Sequence, residues 1–134
     1  MKHLILALSV LASPAVADTP MTAEEFDAFV TGKTLRYLVD GVPYGAERYR
    51  ENRRVTWSFV KGQDVAECED GVWYSQEQSI SFVYEGGGDP QCWDMYEREG
   101  RLDAKYRNDA DSNALYEAKP TSDPLLCLGP NVGV

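Results

Sequence analysis

Histidine is nearly absent from this chain: the single one, His3, lies in a stretch that reads as a removable leader. Ser-His-Asp and Cys-His catalysis both need an imidazole base, so the remainder cannot run them, and it has no imidazole to offer zinc. The three cysteines, Cys68, Cys92 and Cys127, form no CxxC pair and lack the spacing of a metal cluster. Nucleophile elbow, Walker loop and dinucleotide fingerprint are all missing. Gly86-Gly87-Gly88 lacks the strand-to-helix setting that lets glycines cradle phosphate, and it reads as a hairpin loop. No apolar run after Leu11 is long enough to span a bilayer, which takes about 20 residues. Positive charge is also scarce, with 13 Lys and Arg against 22 Asp and Glu. Such a surface repels phosphate backbones and anionic lipid. Neither nucleic-acid binding nor membrane insertion is expected, and no cofactor is implied.

The leader itself is well formed. Lys2 and His3 precede an apolar run from Leu4 to Leu11, and Ala15-Val16-Ala17 is a small-residue cleavage signature before Asp18. Residues 1–17 are therefore expected to be a signal peptide, leaving 18–134 as a single β-rich domain in the periplasm or outside the cell. Removing 17 of 134 residues leaves 117, with 22 acidic and 12 basic side chains and a formal charge of −10. That length supports one modest core and not two.

Thr22 and Glu25 form a capping box, with Met21 placed to staple onto Phe26. Phe26, Phe29 and Val30 then make an apolar stripe, so a short helix is expected between Pro20 and Gly32. After it the period changes to two. Leu35, Tyr37 and Val39 alternate with polar positions, as do Val55, Trp57 and Phe59, and later Ile80, Phe82 and Tyr84. Turn signals fall at Asp40-Gly41, Lys61-Gly62-Gln63-Asp64, Glu69-Asp70-Gly71, Gln76-Glu77-Gln78, Gly86 to Pro90 and Glu99-Gly100. The expected fold is mainly β: a strongly curved antiparallel meander of seven or eight strands, or a partly open small barrel, with one N-terminal capping helix. Leu115-Tyr116 is expected to close the sheet as a short edge. An irregular tail is expected from about residue 118, pinned back by Leu125, Leu126 and Leu128.

Three cysteines in an oxidising compartment permit one disulfide in any of three pairings, with one thiol left over. The tail's need for an anchor favours Cys92 with Cys127.

Thr22 to Phe26, Pro43 to Tyr49, Gly71 to Tyr74, Phe82 to Glu85 and Gln91-Cys92-Trp93 together resemble a group of small exported alphaproteobacterial proteins that carry no assigned activity. The resemblance implies export and a single β domain across nearly all of the chain after the leader, and names no catalytic residue. Members of the group often have cysteine where Ser81 stands here, which implies a second, ancestral disulfide.

The aromatic set is the richest functional signal: turned inward, the rings form the core that a small curved sheet needs. The alternative is that some line a cleft for an apolar ligand or sugar, with Trp57, Trp73, Tyr84 and Trp93 the candidate ligand-binding residues and Arg54 a candidate counter-charge. Arg36, Arg48, Arg50 and Arg53 are further positive groups suited to an acidic ligand. Glu67, Glu69, Asp70, Glu97 and Glu99 are available for carboxylate chemistry, and Asp109 and Asp111 are a conceivable calcium site without a full calcium-loop pattern. The leading expectation is a monomeric, non-enzymatic module that binds a periplasmic protein or a small ligand. The alternatives are a carboxylate-dependent hydrolase of envelope polysaccharide and a purely structural envelope protein.

Overall fold

Period-two alternation carries the chain around a closed wall. The computed structural model describes residues 18–61 and 64–127; the expected signal peptide and Leu128 lie outside them. One helix, α1 (Ala23–Val30), precedes eight strands: β1 (Thr34–Val39), β2 (Val42–Tyr49), β3 (Arg54–Lys61), β4 (Asp64–Gln76), β5 (Ser79–Tyr84), β6 (Gln91–Arg98), β7 (Arg101–Tyr106) and β8 (Tyr116–Thr121). Each strand pairs antiparallel with the next, and β8 pairs back onto β1 from Thr34↔Thr121 to Val39↔Tyr116, so the meander closes without a free edge.

The capping box forms as the sequence predicts: Thr22 Oγ1 accepts from the Glu25 amide at 3.2 Å, and Glu25 Oε2 accepts from the Thr22 amide at 2.9 Å. The helix then lies across one end of the barrel. Its flanks are tied to the wall by backbone bonds from Met21 to Met95 (2.7 Å) and from Gly32 to Tyr49 (3.0 Å). Phe26 is driven into the barrel as a plug, edge-on to Trp73 at 5.0 Å and to Tyr49 at 5.8 Å. Leu35, Val55, Ile80, Met95 and Leu102 complete this buried layer. The end of the barrel nearest the chain's helix is therefore packed solid.

Three expectations are corrected. Glu69-Asp70-Gly71 is not a turn but the middle of β4, which runs unbroken for 13 residues. Tyr116 begins a strand that extends through Pro120 to Thr121, so the tail does not start at about 118. β8 gains its strand conformation from neighbours on both sides, a tertiary contribution that local propensity around Lys119-Pro120 conceals.

The third correction concerns the disulfide. Cys68 joins Cys127, with 5.1 Å between Cα atoms, and Cys92 is free. Leaving β8, the tail turns outward over β1 and β3, where Asp123 pairs with Arg36 and the Leu126 carbonyl accepts from Ser58 Oγ at 2.9 Å. That direction leads to the outer face of β4, which carries Cys68. Cys92 lies on β6, on the other side of β8, opposite Ser81 of β5. Leu126 stays 60% exposed, so covalent and polar ties hold the tail more than its leucines do.

Candidate functional site

At the end away from α1, the barrel interior is not filled. A cavity of about 50 Å³ remains there, room for a few water-sized groups. Its floor is made by Tyr37, Glu47, Trp57, Phe82 and Met95, all buried. Its rim includes Tyr44, Glu69 and Gln91, all exposed, which leaves the cavity open to solvent. Phe59, Tyr84 and Trp93, half-buried, stand between.

Strand parity places these groups. On β2 the inward positions are Gly45, Glu47 and Tyr49, and Glu47 is opposite Leu35 on β1 and Trp57 on β3. An irregularity in the β1–β2 register between Tyr37 and Leu38 leaves Tyr44 without a directly opposed partner. Its ring packs on Trp57 and Phe59, 5.6 Å from each. Two glycines make room for the rings. A Cβ on Gly45 would sit 2.4 Å from Trp57 Cζ2, and one on Gly71 would sit 2.4 Å from the Val83 carbonyl oxygen and 2.8 Å from Tyr84 Cδ1. Gly71 therefore serves a close approach and not the turn its neighbours suggest.

Glu47 is the chemical centre. Only 2% of its surface is exposed. Oε1 accepts from the Tyr84 hydroxyl at 2.8 Å and Oε2 from the Tyr49 hydroxyl at 3.2 Å. The Tyr49 hydroxyl in turn lies 2.5 Å from that of Tyr37. Burial pushes the Glu47 carboxyl up to about 8, against the smaller opposing effect of the two tyrosine hydrogen bonds. Burial likewise raises the phenols of Tyr37, Tyr49 and Tyr84, and the adjacent Glu47 charge adds to each. A carboxylate has about four acceptor sites, and two are taken. Among the described residues, no lysine or arginine lines the cavity.

Of the five residues expected from the sequence to bind a ligand, Trp57, Tyr84 and Trp93 come together around this cavity. Trp73 does not: it lies in the packed layer against Phe26, with the Arg53 guanidinium 4.5 Å from its ring centre. Arg54 begins β3 at the helix-capped end and is exposed. Arg36 pairs with Asp123 and Arg50 with Asp70 at 3.0 Å, both on the outer wall, and Arg48 is exposed. Glu67, Asp70, Glu97 and Glu99 are exposed away from the cavity, and only Glu69 of the expected carboxylates reaches its rim. The Asp109 side chain accepts from the Asp111 amide at 3.2 Å in a local turn. Among the described residues, no three His, Cys, Asp or Glu side chains are grouped to hold a metal ion.

Sequence reasoning passed over Glu47 because it sits beside Arg48 and Arg50 in a polar-looking segment. The available signal was parity: Glu47 falls on the same alternation as Gly45 and Tyr49. Comparison with protein-family models, curated proteins and solved structures gives no match, so the site is interpreted from its own geometry.

Proposed function

We propose that this protein is an exported, non-enzymatic barrel that binds a small ligand at its open end. One observation carries the reading: an aromatic-lined cavity, open at Tyr44 and Gln91, ends on a buried carboxyl with no basic partner among the described residues. Eight-stranded barrels are just wide enough to fill with side chains or to hold one small ligand, and this one is filled at the helix end only. The cavity is well below the roughly 300 to 1,000 Å³ of a pocket that engulfs a drug-sized molecule. The ligand accordingly inserts a compact group and leaves the rest at the rim. Export is supported by the Cys68–Cys127 disulfide, since such bonds persist in oxidising compartments. The outer wall carries exposed Arg36, Arg48, Asp70, Lys105 and Lys119 and thus favours water over the apolar band of a membrane barrel.

The test is a fragment screen by protein NMR. Shifts should cluster on Tyr37, Trp57, Tyr84 and Trp93. A screen without hits, or hits confined to the outer wall, would count against the proposal.

The hydrolase alternative draws on Glu47 and Glu69 lining the same cavity. Glycoside hydrolysis requires the scissile bond to lie between two carboxyl groups. A pyranose ring with its substituents does not enter a space of about 50 Å³, which favours binding over hydrolysis.

A further inference from the structure

We propose that the ligand of the open end carries a compact ammonium group, a primary or secondary amine in its charged form, which enters the cavity and pairs with Glu47. This inference rests on the binding reading above and names the chemistry of that site.

Charge points the same way at three levels. At the floor, Glu47 is buried with two acceptor sites unused and, among the described residues, no basic partner. Ionising a carboxyl out of water without a counter-charge is costly, and a cationic ligand supplies that counter-charge. Along the walls, Trp57, Tyr84 and Trp93 present ring systems, whose faces attract cations and are indifferent or repulsive to anions. At the rim, Glu69 adds a second acidic group, and the whole chain has a formal charge of −9, so the field gathers cations toward the mouth. Size then selects among cations. An ammonium is close to a water molecule in volume and donates up to three hydrogen bonds, which suits a cavity of about 50 Å³ ending on a carboxylate.

Binding in this way requires Glu47 ionised. The titratable groups around it are Tyr37 from β1, Tyr49 on its own strand, Tyr84 from β5 and Glu69 from β4. With the free carboxyl titrating near 8, the ligand must displace a proton at neutral pH, and affinity should rise with pH until the carboxyl is ionised without it.

The test uses the whole exported protein and three probes of equal chain length, n-hexylammonium, n-hexanol and hexanoate, followed by tryptophan fluorescence. Hexylammonium is expected to bind at least tenfold more tightly than either of the others. Its affinity should rise about tenfold between pH 6 and 7 and level off above 8, with the amine charged throughout. Glu47→Gln should lose at least tenfold in affinity together with the pH dependence. The pH profile of the unaltered protein tests the proposal even if that variant folds poorly. Equal or tighter binding of hexanol or hexanoate overturns the ammonium assignment and leaves the binding reading standing. A flat pH profile for hexylammonium, or unimpaired binding by folded Glu47→Gln, also overturns it. If none of the three probes binds, both readings fall.

Discussion

Replacing Glu47 with glutamine should make the protein more stable, by an amount that grows with pH. In the folded barrel burial holds this carboxyl up to about 8, whereas its ordinary value is 4.5. Below pH 4.5 it is protonated in both folded and unfolded chains. Between 4.5 and 8 the unfolded chain releases the proton while the folded one retains it, so each pH unit favours unfolding by about 1.4 kcal/mol. The sign is that of a raised folded pKa: stability is present in full at low pH and lost as pH rises through 8. Over three and a half units the loss approaches roughly 5 kcal/mol, an upper bound because the wall can relax around the charge. That is comparable to the whole stability of many small domains. Glutamine has no such titration, and its side-chain oxygen still accepts from Tyr84. The assay is urea unfolding of both proteins at pH 5, 6, 7, 8 and 9, followed by tryptophan fluorescence with the disulfide intact. Titrations common to both proteins largely cancel in the difference, and Tyr37, Tyr44, Tyr49, Tyr84, Tyr96 and Tyr106 are raised from an ordinary value of 10 and so lie above the window. The advantage of Glu47→Gln should widen through pH 7 and level off near 9. A difference that stays constant across this range, or that favours the parent at high pH, would refute the account of Glu47 as a buried carboxyl without a counter-ion.

Breaking the Cys68–Cys127 bond should lower stability by up to about 4 kcal/mol, given a separation of 59 residues; Cys68→Ala, Cys127→Ala and the double variant should melt at similar temperatures, and peptide mapping should find no Cys92–Cys127 link. Ser81→Cys should create a second disulfide, because Ser81 and Cys92 are opposed across β5 and β6 with their side chains in contact; thiol titration under denaturing, non-reducing conditions should fall from one free thiol to none. The β4–β5 hairpin turns on Glu77 and Gln78 with φ of 51° and 66°, a conformation that suits Asn-Gly. Changing the pair to Asn-Gly should raise stability by about 1 kcal/mol without altering ligand binding, as read by urea midpoints.

Period-two alternation at Leu35-Tyr37, Val55-Trp57-Phe59 and Ile80-Phe82-Tyr84 determined the strands, because side chains on a pleated backbone must alternate between core and solvent. The capping box at Thr22 and Glu25 determined the start of the helix by purely local hydrogen bonding. From these the curved meander with a capping helix was legible, and so was the aromatic character of the interior. Closure was not. It depends on β8, whose residues from Tyr116 to Thr121 have little strand character alone and are held by β7 and β1, partners far away in the chain. Gly71 looked like a turn residue, yet it provides clearance for the Tyr84 ring, a requirement visible only once β4 and β5 are side by side. The cysteine pairing was likewise decided by which way the tail crosses the outer wall. Glu47 shows the division most clearly. Its parity and its Tyr49 donor could be counted along β2, but its burial and its Tyr84 donor come from β1, β3 and β5 meeting around it. Alternation assigns a residue to a face, and only the closed barrel determines what shares that interior with it.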